Sequence, residues 1–229
     1  MARIILIETS TALCSAALME DGIITAYRED AGRAHAARLA PMVDDMLGEK
    51  GLAVRDCDAV GVSMGPGSYT GLRVGVSTAK GLCFGAGIPL LATGSLDILA
   101  WTAIEGNMVP EGCRCIIPMI DARRMEVYTA IFSPEGTQVG EVEPKVIDAD
   151  SFREQLEEGP VLFIGDGAEK CRSVLTSPNA HFVQTCPDAR GMARPVMAAY
   201  NEKRFKDVAY FEPFYLKDFV ATVSRKKLF

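Results

Sequence analysis

No apolar run in this sequence approaches the ~18 residues that a membrane-spanning helix needs. The first apolar run, Ile4 to Ile7, is cut by Glu8 and is shorter than the ~7–15-residue core of a secretion signal. Together these two lacks predict a cytoplasmic protein with no membrane partner. Positive charge is also scarce. Lys and Arg number 24 against 30 Asp and Glu, a net charge of −6, which argues against a self-sufficient nucleic-acid binder. The one dense basic cluster, Arg225-Lys226-Lys227, reads as a charged, solvated tail. Histidine is nearly missing: His35 and His181 lie in different halves, so an H-E-x-x-H metal motif is absent. The seven cysteines are odd in number and irregularly spaced, which predicts free thiols in a reducing compartment and not a disulfide framework. Cys113 and Cys115 form a C-x-C pair with no second pair to complete a zinc site.

Glycine is abundant, and unevenly so. Of 21 glycines, eight fall between Gly61 and Gly87. Glycine in a helix interior costs about 0.5–1 kcal/mol relative to alanine. A helix keeps such residues where a backbone, another helix or a ligand must come very close. The remainder of the composition is ordinary for a globular protein, with 48% hydrophobic and 24% charged residues over 229 positions. That length allows one large domain or two small ones.

In chain order, Arg3 to Glu8, Cys14 to Met19 and Ile23 to Glu29 read as an antiparallel meander, with Asp21-Gly22 as its hairpin turn. Thr9-Ser10-Thr11 joins the first two strands. A helix follows from Ala34 to Leu47, apolar at nine of its 14 positions. That is wider than one buried stripe requires, so the helix either meets something beyond its own sheet or is sandwiched inside the domain. Pro41 within it predicts a kink or a break. Ala59 to Met64 is a strand, Gly65-Pro66-Gly67 a turn, and Ser68 or Thr70 the cap of a helix reaching Ala86. Leu72, Val76, Ala79 and Cys83 form that helix's apolar stripe, while Gly71/Gly75 and Gly81/Gly85 place small residues four apart. Ile88 to Thr93 returns as a strand, and Asp97 to Ile104 is helical.

The polar stretch 105–112 is the candidate boundary between a domain over 1–104 and another over 113–229. Beyond it the plan restarts. Strands are expected at Cys115 to Ile120, Glu126 to Phe132 and Val139 to Val142. A capping box of Ser151 and Glu154 should open a helix, and Val161 to Ile164 should run as a strand into Gly165-Asp166-Gly167 and a further helix. The last helix spans Pro195 to Lys203, and Tyr210 to Phe219 is an aromatic, extended segment that packs back on the first domain.

Phosphate motifs do not fit the glycine-rich turn. A P-loop needs G-x-x-x-x-G-K-[ST], which is absent, and G-x-G-x-x-G meets Thr70 where the third glycine belongs. Ser63 sits in G-V-S-M-G, the pattern of a nucleophile elbow, but only His181 is available downstream to complete a triad.

Taken together, Ile7-Glu8-Thr9-Ser10-Thr11, the block Met64-Gly65-Pro66-Gly67-Ser68-Tyr69-Thr70-Gly71-Leu72-Arg73-Val74-Gly75, Asp121-Ala122-Arg123-Arg124 with Glu126-Val127-Tyr128, and Tyr215-Leu216-Lys217 closely resemble the TsaB (YeaZ-type) family. The resemblance implies an α/β, two-domain actin/Hsp70/sugar-kinase-like fold, of ribonuclease H-like topology. It also implies a non-catalytic scaffold in threonylcarbamoylation of the tRNA adenosine beside the anticodon. The implied partners are the catalytic paralogue TsaD and the ATPase TsaE, with a functional link to TsaC, tRNA reached only through the complex, and pairing with a second copy as an alternative. ATP is then used by the complex, not by this chain, which needs no cofactor or metal of its own. The paralogue's metal-binding histidines are four apart on a helix; here His35 is followed by Leu39. The family often carries aspartate where this chain has Glu8.

On this reading helices 34–50 and 70–86 form the interface, through Leu39, Met42, Val43, Met46, Leu72, Gly75, Val76, Ala79, Gly81 and Leu82. The interdomain cleft is lined by Glu8, Thr9, Ser10, Gly65, Gly67, Asp121 and Asp166. The competing expectation is an independent catalyst, a nucleotide-dependent kinase-like enzyme or a peptidase, in which Glu8, Asp121 and Asp166 supply metal or base roles.

Overall fold

The computed structural model describes residues 1–32 and 34–217. Strand β1 (Arg3–Glu8) is buried along almost its whole length, with Ile4, Ile5, Leu6 and Ile7 all at 0% exposure. That is the pattern of a central strand covered on both faces. It pairs antiparallel with β2 (Cys14–Glu20), which turns through Asp21-Gly22, both at positive φ, into β3 (Ile23–Asp30). On its other side lie β4 (Ala59–Ser63) and β5 (Leu90–Thr93), both parallel, giving the order β3-β2-β1-β4-β5. Parallel neighbours need crossover connections. Helices α1 (His35–Gly48) and α2 (Tyr69–Ala86) supply them and pack on one face of the sheet. Five buried side chains of α1, from Leu39 to Leu47, contribute on the order of 10 kcal/mol of gross hydrophobic stabilisation there.

The plan repeats. A second sheet is built from β6 (Cys115–Asp121), β7 (Glu126–Thr129), β8 (Glu143–Val146), β9 (Val161–Ile164) and β10 (Ala180–Val183). Its order, β10-β9-β6-β7-β8, is that of the first sheet with β6 in the place of β1. Helix α3 (Ser95–Glu105) lies between the sheets: Leu96, Leu99, Ala100 and Ala103 meet Ile116, Ile120, Leu162 and Ile164, while Ile98 joins the first sheet's core. Helices α4 (Arg153–Glu158) and α5 (Ala168–Cys171) cover the second sheet's other face. Helix α6 (Ala193–Asn201) and the 3-10 turn Ala189–Met192 return to the first sheet, where Val196 packs over Leu6 and Gly61. All seven cysteines are free. Among the described residues no helix is long and apolar enough to cross a membrane.

Three local expectations are corrected and one element is added. Helix α1 runs undivided through Pro41, because Pro41 and Ala37, whose carbonyl it cannot pair, both sit on the exposed side. The third strand of the second meander lies at Glu143–Val146 and not at 139–142. Val139 is 65% exposed in the preceding excursion, and Pro144 is tolerated because β8 is an edge strand. Ser151 forms no capping box: its Oγ donates to Asp148 Oδ1 at 2.8 Å, and Phe152, at φ 59°, opens α4 without a side-chain cap. Strand β10 is an addition to the expected elements, since Ala180–Val183 is short and half-exposed.

After α6 the chain becomes an irregular strap across the first unit. Lys206 N–H donates to Leu90 O at 2.8 Å, Lys80 Nζ donates to Ala209 O and Phe211 O at 3.0 Å each, and Phe214 N–H donates to Met64 O at 2.7 Å. The aromatic segment expected from Tyr210 is described as far as Lys217 and is irregular: it begins in a turn, and Leu216 and Lys217 form a bend. Residues 218–219 and the basic cluster 225–227 lie outside the described residues.

Candidate docking face and interdomain cleft

The first half of the glycine-rich stretch makes its close approaches to atoms of the same chain, mostly backbone. A Cβ on Gly67 would lie 2.3 Å from Ser10 O, one on Gly71 2.1 Å from Thr9 O, and one on Gly75 2.2 Å from Thr9 Oγ1. On the other side of the turn, a Cβ on Gly65 would lie 2.6 Å from Phe214 O of the strap. The β1–β2 turn is thereby clamped onto α2. Ser68 N–H donates to Ser10 O at 2.6 Å, Thr9 Oγ1 donates to Gly71 O at 2.8 Å, and Ser68 Oγ caps α2 by accepting from Gly71 N–H. His35 completes the turn, with Nε2 3.1 Å from Thr11 O.

Glu8 ends β1 beneath this clamp, completely buried. Its Oε1 accepts from Ser10 N–H at 2.8 Å, while Oε2 has no partner among the described residues. Burial, which penalises the charged form, pushes its pKa up to about 7, and Asp188 nearby adds to the rise. In the second unit Asp166 accepts from Asp121 N–H at 2.9 Å, and its pKa is also raised by burial. The Lys170 ammonium pairs with Asp121 and donates to Glu126 O. The structure therefore brings Glu8, Thr9 and Ser10 together with Gly67, sets Gly65 against Phe214 and Ser95, and brings Asp121 together with Asp166. The half-buried Cys186 thiol is raised in pKa by burial and, secondarily, by the charges of Asp166 and Glu8. Among the described residues no lysine or arginine pairs with Glu8, and the turn that would cradle a phosphate is filled by Gly67 and Gly71. Ser63 is buried and its Oγ accepts from Thr9 N–H, whereas His181 is exposed on β10 of the other sheet.

The expected interface is corrected side chain by side chain. Leu39, Met42, Val43, Met46, Leu72, Gly75, Val76 and Ala79 are buried in this chain's own core, so they have no surface to offer a partner. Of the ten, only Gly81, exposed, and Leu82, half-buried, reach the surface. The open face of the helix pair is made of other residues: Ala36, Ala37, Ala40 and Pro41 on α1, and Phe84 and Gly85 beside Gly81 on α2. Phe84 is 85% exposed, and a Cβ on Gly81 or Gly85 would meet nothing within 4 Å. A shallow groove beside Phe84 is walled by Lys80, Gly81 and residues 207–209 of the strap. Gly81, Phe84 and Gly85 are one helical stripe (i, i+3, i+4), the stripe opposite Leu72–Cys83. Its signal is present in the small-residue spacing, but the larger apolar residues draw a sequence-based assignment to the buried face.

Comparison with known proteins agrees with this architecture. A family model described as TsaD, tRNA N6-adenosine threonylcarbamoyltransferase, matches residues 22–224. The chain is 32% identical over 228 residues to the tRNA threonylcarbamoyladenosine biosynthesis protein TsaB of Escherichia coli, covering 96% of both chains. It is 33% identical over 223 residues to the protein of the same name from Bacillus subtilis, covering 93% of both. Among solved structures, YeaZ from Pseudomonas aeruginosa superposes with a TM-score of 0.81 at 28% identity, over 94% of this chain and 100% of that one. The activator of the 2-hydroxyisocaproyl-CoA dehydratase from Clostridium difficile, at 10% identity and a TM-score of 0.50 over 88% of this chain and 96% of that one, shares the fold alone. The two repeated sheets are those of an actin/Hsp70/sugar-kinase-like protein.

Proposed function

This chain belongs to the TsaB family of tRNA threonylcarbamoyladenosine biosynthesis proteins, and we propose that within that pathway it is a docking subunit with no catalysis of its own. It is an accessory subunit that works with a TsaD-type protein. The observation that carries the docking reading is the bare backbone of α2 at Gly81 and Gly85, next to a Phe84 that is 85% exposed. Two exposed glycines inside a helix cost about 1–2 kcal/mol. Their use is to let a second helix lie close, a packing rule that is steric in origin. The match to a TsaD family model over 22–224 supports a partner of the same fold. It would present its own pair of helices to α1 and α2, and a second copy of this chain would compete for the same face.

The filled turn at Gly67 and Gly71 supports the non-catalytic reading, with ATP consumed by the complex through TsaE and the threonylcarbamoyl adenylate supplied by TsaC. A kinase-like enzyme lacks support from a cleft whose first hairpin is clamped on its own chain. A peptidase lacks it from a Ser63 that is buried in the first sheet while His181 is exposed on the second. The cytoplasm, where tRNA is modified, is the proposed location, and tRNA is reached through the complex.

Deleting the gene should lower threonylcarbamoyladenosine in bulk tRNA to background, read by mass spectrometry of digested nucleosides. The isolated chain should neither bind ATP tightly in a titration nor turn it over. Normal modified tRNA in the deletion strain, or ATP turnover by the pure chain, would sink the reading.

A further inference from the structure

Along one edge of the molecule, cations and aromatic rings alternate from the first unit to the second. Arg73, exposed on α2, lies over the Tyr69 ring with Cζ 5.5 Å from its centroid. Tyr69 stacks on Tyr215 of the strap at 4.7 Å with the rings tilted 34°. Two residues on, Lys217 pairs with Glu126 and places Nζ 5.9 Å from the centre of Tyr128, which stands on β7. The row continues past Glu126 into the β6–β7 turn, where Arg123 and Arg124 are both exposed and side by side in the left-handed region, at φ 74° and 52°. Those are positions that favour glycine or asparagine. Neither guanidinium forms an ion pair or a ring contact among the described residues.

Local charge here runs against the net charge of −6. Arg73, Arg123, Arg124 and Lys217 stand among three acids: Glu126, which Lys217 neutralises, Asp121, which pairs with Lys170 and accepts from Arg123 N–H, and Glu212, which lies near Tyr215. Stacking of Tyr69 on Tyr215 would by itself anchor the strap. It does not account for the flanking cations or for the 37% exposure left to Tyr215. Rings that accept unstacked bases, spaced between cations that follow a backbone, are the chemistry of a single-stranded nucleic-acid track. A duplex, whose bases are stacked and paired, offers nothing to Tyr215.

We propose that the row Arg73–Tyr69–Tyr215–Lys217–Tyr128, extended by Arg123 and Arg124, is a contact track for a single-stranded segment of the tRNA substrate once this chain is docked in its complex. This rests on the docking reading above. The acidic chain alone holds RNA too weakly for the track to act by itself, and the partner brings the RNA to it.

The test uses the assembled complex with the TsaD-type partner and an unmodified tRNA transcript, followed by fluorescence anisotropy across a salt series. Tyr215→Ala should weaken tRNA binding about tenfold, while Tyr215→Phe keeps wild-type affinity. Arg73→Gln and Arg124→Ala should each lower the slope of log affinity against log salt by about one. Single-stranded RNA should compete, and duplex RNA of equal length should not. Co-elution of each variant with the partner is measured first. If wild-type chain and partner do not co-elute, the docking reading fails and this proposal with it. If they co-elute and Tyr215→Ala and both arginine variants bind tRNA within twofold of wild type with unchanged slopes, the track alone is overturned. It is equally overturned if the variants lose the partner and not the RNA, which would make the row a protein contact.

Discussion

Gly71→Ala should destabilise the protein by about 3 kcal/mol, at the upper end of what overpacking a tight site costs, whereas Gly81→Ala should stabilise it by about 0.5–1 kcal/mol. Both are glycines inside the same helix, and alanine is the better helix former at either position. The difference is what the new methyl meets. At Gly71 it would sit 2.1 Å from Thr9 O, a backbone atom in a turn already fixed by the Thr9–Gly71 and Ser10–Ser68 hydrogen bonds. Neither the turn nor the helix can move without breaking one of them. At Gly81 nothing lies within 4 Å. Gly75→Ala should behave like Gly71→Ala, since Thr9 Oγ1 lies 2.2 Å from the added carbon and donates to Gly71 O. Gly85→Ala should behave like Gly81→Ala. Urea unfolding of the four variants decides the matter: equal shifts for all four would mean that helix propensity alone governs α2.

The second large effect is a fall in stability with rising pH that Glu8→Gln removes. Glu8 is held with a pKa of about 7 in the folded chain against an ordinary 4.5. The folded state therefore keeps a proton that the unfolded state has released. The stability this gives is fully present below pH 4.5 and is lost as pH rises through 7, because above that point folding must bury a bare carboxylate. The displacement amounts to on the order of 3 kcal/mol. Glutamine copies the neutral acid: its carbonyl accepts from Ser10 N–H and its amide stands where Oε2 has no partner among the described residues. Wild type and Glu8→Gln should thus agree within about 1 kcal/mol at about pH 5, and the variant should be the more stable by about 3 kcal/mol at about pH 8.5. Groups such as Asp166, also raised by burial, tilt both profiles alike, so the difference between the two isolates Glu8. Parallel profiles would show that Glu8 stays charged when buried.

The sheets are legible in the sequence because their strands are buried and bounded by turn residues. Ile4 to Ile7 and Val161 to Ile164 are unbroken apolar runs, and meander, helix, strand and glycine turn recur in each half, so the residues themselves mark the doubled architecture. Elements that depend on distant partners are not legible in this way. Strand β10 is only half-buried and exists because β9 offers an edge to pair with. The edge strand β8 is fixed by its register with β7, Glu126 opposite Val146, and not by its own sequence. Glu8 and Asp121 stand out in the sequence because each ends the central strand of a repeat. The interface expectation fell on buried residues for a physical reason. A helix covered on one side by its sheet spends its large apolar residues there, so a face left for a partner is marked by what is small, as at Gly81 and Gly85, or by an aromatic out of place, as at Phe84. The glycine-rich stretch then divides. Its first half, Gly65 to Gly75, fits against its own chain, and its second half, Gly81 and Gly85, remains open.

That division is tested most directly by gel filtration of the chain mixed with its TsaD-type partner, using Gly85→Arg and Phe84→Glu alongside wild type. Both substitutions lie on the exposed face of α2 and should leave the fold intact. Wild type should co-elute with the partner in one joint peak, and each variant should elute separately from it. A joint peak that survives both substitutions, or no joint peak with wild type, would contradict the assignment of this face as the docking surface.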